Sequence, residues 1–193
     1  MLGLKLPTDP RWVNIAEQNI KEILIDHAFC EQKAASNAIS IIVQHPEYSD
    51  LVTEMAALAK EELSHFEMVH EKIKSRGWIL GRERKDAYVN DLLKFVKKGG
   101  SRIEALVEKL LFGALIEARS CERFRILSEN IQDQELAEFY RMLMVSEANH
   151  YTLFLSFARK LGEGIDVNKR WQEFLDYEAS VIAQYGNKET IHG

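Results

Sequence analysis

Glu62-Leu63-Ser64-His65 and Glu147-Ala148-Asn149-His150 repeat one Glu-x-x-His pattern, and each copy interrupts an otherwise apolar helical stripe. Around the second copy the stripe reads Leu136, Tyr140, Leu143, Glu147, His150, Phe154, Phe157 and Leu161, stepping by four and three. Around the first it reads Leu51, Met55, Leu58, Glu62, His65, Val69 and Ile73. Side chains at this spacing share one face of a helix, so both acids and both imidazoles fall on faces that should be buried. The segment before each copy carries one further acid in its apolar stripe. Glu31 sits in Ile20, Leu24, His27, Glu31, Ala34, Ala38, Ile41, and Glu117 in Ile103, Leu106, Leu110, Gly113, Glu117, Ser120, Phe124, Leu127. Glu31 precedes Glu62 by nearly the interval that separates Glu117 from Glu147, so the chain reads as a duplicated helical hairpin.

The punctuation between these stripes sets the topology. Asp9-Pro10 starts a first helix that runs to about residue 44, with a break near residues 14–19, and His45-Pro46 ends it because the residue before proline is pushed out of helical geometry. A second helix covers about 47–76 and stops at Gly77. A long link follows, holding a short helix over about 86–98. Ser101 then caps the third main helix, with Glu104 as its reciprocal partner, and that helix extends to about residue 130. The fourth runs from about residue 134 to Leu161, before Gly162-Glu163-Gly164. A last helix spans about 166–185 and buries Trp171, Phe174, Leu175, Val181 and Ile182, while residues 187–193 are expected to fray. Short links join the first helix to the second and the third to the fourth, and antiparallel neighbours follow from them. The expected fold is all-α: a ferritin-like four-helix bundle of two antiparallel hairpins, with a long crossover and an extra C-terminal helix, in a single domain over 1–193.

Buried carboxylates are costly unless they are paired or bound to metal. Four glutamates and two histidines converging from four helices suit two hard divalent cations, each with one imidazole, whereas thiolates would select zinc or an iron-sulfur cluster. The metal ligands expected are Glu31, Glu62, His65, Glu117, Glu147 and His150. Glu122 and Glu22 fall well round their helices from Glu117 and Glu31 and are expected to face outward. His27, one turn before Glu31, reads first as a core histidine and second as a hydrogen-bonding support for that ligand. Tyr140 and Tyr151 read first as packing residues and second as carriers of a radical or an acidic proton. The two cysteines, Cys30 and Cys121, are far apart and lack a Cys-x-x-Cys pairing, which excludes a rubredoxin-type site and points to a reducing compartment. No charged leader or long apolar run is present, and a cytoplasmic protein is expected.

Four stretches resemble the bacterial tRNA 2-methylthio-N6-isopentenyladenosine hydroxylases: Leu6 to Trp12, Asp26 to Ala35, Glu61 to Phe66, and Leu115 to Phe124. The resemblance implies oxygen-dependent hydroxylation of the isopentenyl group on the modified adenosine beside the anticodon. It also implies two iron ions, dioxygen as co-substrate and an external electron donor. No flavin, haem or cysteine-rich centre is encoded, so a separate reductase is expected, with the protein a monomer or small oligomer. The same six ligands alone leave open a manganese catalase or rubrerythrin-like peroxidase, and a non-enzymatic iron-handling ferritin.

The net charge of −5 offers no general attraction to nucleic acid, but residues 76–102 hold eight Lys/Arg against three acids. That segment carries the residues expected to meet tRNA phosphates: Arg82, Arg84, Lys85, Lys97 and Lys98. Its other reading is a solvated link.

Overall fold

The computed structural model describes residues 2–83, 85–184 and 191. Arg84, Tyr185 and the tail 187–193, Ile191 excepted, lie outside the described residues. Seven helices and no strand are found among those described: α1 (Trp12–Gln18), α2 (Ile20–Gln44), α3 (Ser49–Ser75), α4 (Ala87–Leu93), α5 (Arg102–Asn130), α6 (Gln134–Leu161) and α7 (Val167–Ile182). The chain divides into two compact units, one carrying α2 and α3, the other α1 and α4 to α7. None of the helices is long and apolar enough to cross a membrane.

The α2/α3 unit is a hairpin. Its two helices are joined by a link too short to do anything but reverse the chain, and they pack along their length. His45 closes α2 with φ −134°, its N–H donating to Ile41 O at 2.9 Å, as the following proline requires. On α3 every residue of the expected stripe, from Leu51 to Ile73, is buried. On α2 the buried stripe runs through Leu24, His27, Glu31, Ala35, Ala38 and Ile41, passing Ala35 where the sequence suggested Ala34. Ile191 is fully buried and its N–H donates to Asp26 Oδ2 at 2.8 Å, so at that residue the expected fraying does not occur.

The second unit is built on the α5/α6 hairpin. Ser101 and Glu104 form the complete capping box expected of them, and Asp133 caps α6 by accepting the Leu136 N–H at 3.1 Å. Gly113 lies where a Cβ would come within 3.1–3.2 Å of the Phe154 ring, so the missing side chain lets α6 approach α5 one turn before Glu117. The amphipathic α7 lays Trp171, Phe174, Leu175, Val181 and Ile182 inward and packs against α4, α5 and α6. The crossover helix α4 is shorter than the sequence suggested, ending at Leu93 because the chain turns into the basic link before Gly99-Gly100. α1 is separated from α2 at Asn19, within the break expected near residues 14–19.

One expectation fails in this unit. Glu122 does not face solvent: it is 2% exposed, accepts the Thr8 N–H at 2.9 Å and the Thr8 hydroxyl, and pairs with Arg119 at 3.0 Å. Arg119, fully buried, also binds Glu178 of α7 at 2.6 Å and donates to Leu6 O at 3.0 Å, while Tyr88 of α4 donates to Glu178 at 2.8 Å. The physical reason is that α5 has a second covered face, on which α7, α1 and the N-terminal segment pack, and charge buried there is neutralised by its own partners. Glu22 is partly exposed.

Two outcomes are expected. Arg119→Met leaves the Glu178 and Glu122 carboxylates buried without their cation and should cost about 3–5 kcal/mol in urea unfolding; a loss under about 1 kcal/mol would show the network to be dispensable. Cys121 is fully buried, its thiol donates to Met144 O at 3.3 Å, and burial, with the nearby Glu117 carboxylate, pushes its pKa up to about 11. A disulfide reagent at pH 8 should therefore leave Cys121 unmodified in the native chain and modify it only on denaturation, read by peptide mass spectrometry.

Candidate metal centre

In the α2/α3 hairpin the side chains of Glu31, Glu62 and His65 are turned into the seam, exposed by only 4%, 1% and 4%. One ligand-type atom from each lies within 4.8 Å of the others. His65 Nδ1 stands 3.6 Å from Glu31 Oε2 and 3.6 Å from Glu62 Oε2, so two carboxylates from adjacent helices meet one imidazole. The i,i+3 spacing on α3 puts Glu62 and His65 on one face, and Glu31 reaches the same place from α2.

The three ionisable side chains shift one another. Burial pushes the Glu31 pKa up to about 8; the His65 contact pulls it down and the neighbouring Glu62 carboxylate pushes it further up. For His65 burial acts downward, but Glu31 and Glu62 together outweigh it and hold the imidazole up at about 10. Burial and these contacts together favour the protonated forms of both groups.

The α5/α6 hairpin presents the matching set. Glu117 on α5 is 4% exposed, and Glu147 and His150 on α6 are 3% and 4% exposed. Ligand-type atoms of Glu117 and His150 lie within 4.8 Å of each other. All six residues expected from the sequence are thus buried on the seams of their own hairpins. Buried carboxylate oxygens with one imidazole per hairpin are a donor set that fits a hard divalent metal such as iron or manganese.

His27 is a core histidine that also contacts Glu31. It is fully buried on α2, and its Nε2 lies 2.6 Å from Glu31 Oε1. Tyr140 packs against Phe124 and Phe139, and Tyr151 against Trp171, as core residues do. Of the basic residues, Arg82, Lys85, Lys97 and Lys98 are exposed. Lys97 and Lys98 line a cavity of about 460 Å³ together with Lys169 and Arg170. Arg170 is committed there to Glu108, at 2.6 and 2.7 Å, and to Glu173 at 2.9 Å. The α7 contribution to this cavity was invisible to the sequence reading, which had no means of bringing Lys169 to Lys97; the Arg119-x-x-Glu122 spacing in an apolar helix was the one available sign of the buried network behind α5.

Comparison with known proteins agrees with the geometry. The sequence profile of the family described as tRNA-(MS[2]IO[6]A)-hydroxylase (MiaE) matches residues 2–193. A tRNA 2-(methylsulfanyl)-N(6)-isopentenyladenosine(37) hydroxylase from Pseudomonas putida is 40% identical over 164 residues, covering 85% of this chain and 78% of that protein. The enzyme of the same name from Salmonella typhimurium is 29% identical, covering 98% of this chain and 87% of that protein. Among solved structures, a Synechococcus protein described as having aldehyde deformylating oxygenase activity superposes with a TM-score of 0.87 at 32% identity, covering 98% of this chain and 95% of that one. The fold class is therefore all-α and ferritin-like, as the sequence indicated. With its whole length matched, the chain belongs to the MiaE family of tRNA-(ms2io6A) hydroxylases.

Proposed function

We propose that this chain hydroxylates the isopentenyl group of 2-methylthio-N6-isopentenyladenosine beside the anticodon of tRNA, at a di-iron centre held by Glu31, Glu62, His65, Glu117, Glu147 and His150. The observation that carries the reading is the burial, in each hairpin, of a Glu-x-x-His pair on one helix and a further glutamate on the other. In this reading the two hairpins belong to one ferritin-like domain, and each gives two carboxylates and one imidazole to a shared pair of ions. Bound iron would supply dioxygen activation: one oxygen atom enters the substrate C–H bond and the other leaves as water, with two electrons and two protons from outside.

The protein's own part is placement and charge. Four carboxylates offset the charge of two divalent ions, the imidazoles complete the donor set, and the apolar seams above and below keep bulk water away from the ligands. No residue beyond the metal ligands is assigned a chemical step. Electrons come from a separate reductase, because the chain encodes no redox group of its own. The substrate base, in a single-stranded loop, can be splayed out to reach a buried centre. Arg82, Arg84, Lys85, Lys97 and Lys98 are the proposed phosphate contacts, and the setting is the cytoplasm, where tRNA and reductase are both at hand.

The deciding experiment is anaerobic iron loading and reduction, followed by oxygen and tRNA carrying the modified adenosine, with mass spectrometry of the nucleosides. A gain of one oxygen on the isopentenyl group is expected; peroxide turnover with no change in the tRNA would replace this reading with a peroxidase or catalase. His65→Ala and Glu147→Ala should each yield no product and bind substoichiometric iron by metal analysis. Replacing Arg82, Arg84, Lys85, Lys97 and Lys98 by Ala should weaken tRNA binding and flatten the slope of log affinity against log salt by about 4. An unchanged slope would remove these residues from the interface.

A further inference from the structure

Glu31, one of the six proposed ligands, contacts a histidine that is not among them. Its two oxygens face different partners: Oε1 lies 2.6 Å from His27 Nε2, and Oε2 lies 3.6 Å from His65 Nδ1. Both histidines are buried, His27 completely, and both contacts stay within the α2/α3 hairpin. His27 and Glu31 are one helical turn apart on α2, so their contact is fixed by the backbone and needs no loop to hold it.

We propose that His27 is a positioning residue for the proposed centre: its Nε2–H holds Glu31 Oε1, leaving Oε2 alone to bind metal, so that Glu31 is a one-oxygen ligand. This inference rests on the di-iron reading above. A carboxylate can chelate one ion through both oxygens or offer only one, and the choice decides how many positions on the metal stay open for dioxygen. A donor at 2.6 Å from one oxygen competes directly with chelation, and in a site shielded from water nothing else need be displaced for it to act. With Glu31 ionised as a metal ligand, His27 must carry its proton on Nε2, since a carboxylate can only accept. An ordinary core histidine would fill the same volume without controlling how Glu31 binds, and that difference can be measured.

The test compares the full chain with His27→Gln, which keeps a donor of similar reach, and His27→Leu, which keeps bulk and removes it. All are loaded with iron and read by Mössbauer and absorption spectra, and by the infrared carboxylate stretches of 13C-glutamate-labelled protein. The expected result is a widely split pair of stretches, the mark of one-oxygen binding, in the unmodified chain and in His27→Gln, and a narrowed pair with altered iron spectra in His27→Leu. Hydroxylation by His27→Leu should fall about 10–100-fold in kcat, with KM for tRNA unchanged and with recovery in His27→Gln. Identical spectra across the three proteins would overturn the proposal and leave the di-iron reading standing. If His27→Leu fails to fold, a narrow splitting assigned to Glu31 in the unmodified chain overturns it by itself. Failure of the unmodified chain to bind iron overturns both.

Discussion

The cost of taking carboxylates out of water governs this molecule. Moving an ionised acid into a helix seam forfeits several kcal/mol of hydration unless a cation or strong donors replace the water. On the α2/α3 seam Glu31 meets His27 at 2.6 Å and shares His65 with Glu62, yet burial still lifts the Glu31 pKa to about 8. The stripes on either side are apolar, so these residues have no water to turn to. A divalent ion removes the conflict, because it takes up both negative charges and frees the imidazole to bind as a neutral base. Glu117, Glu147 and His150 are likewise buried on the α5/α6 seam.

A few residues away the same chain buries charge by the opposite method. Arg119, Glu122 and Glu178 are at most 2% exposed, yet each is met by an oppositely charged side chain, and the spare donors go to Leu6 O and Thr8. Arg170 and Glu108 repeat the arrangement beside Phe95 and Phe174, whose rings lie 4.3 and 4.7 Å from the guanidinium. Such networks carry their own counter-charge and call for no ligand. Comparing the two methods within one protein separates a binding site from a structural clasp more surely than burial of charge alone.

The helices and their ends were legible because their signals are local. A capping box, a proline after His45 and a stripe of period 3.6 act within a few residues, and the six proposed ligands stood out because each replaced an apolar residue in such a stripe. Glu122 was misread for a reason of the same kind. A helical wheel assigns outside to whatever lies away from one seam, but α5 has a second covered face, supplied by α7 and the segment from Leu6 to Thr8, more than a hundred residues away from Glu122 in the latter case. Likewise the His27 bond to Glu31 was one of two local options, and only the rotamers decided between them. Long-range coverage and rotamer choice are set by packing, which a single sequence does not display.

The two faces of α5 bear on one another. Gly113 admits the Phe154 ring on the side that carries Glu117, which sets how closely and at what rotation α5 lies on α6. Arg119 follows Glu117 by two residues, about 200° round the helix, and is tied to Glu178 and to Leu6 O. Rolling α5 so as to swing Glu117 out of the seam would press the Gly113 turn away from Phe154 and pull Arg119 from its carboxylates at the same time. The direction of this proposed ligand is therefore held by an apolar contact on one side and a charged clasp on the other. A buried carboxylate offered as a metal ligand needs such restraint, since its own electrostatics favour escape to water.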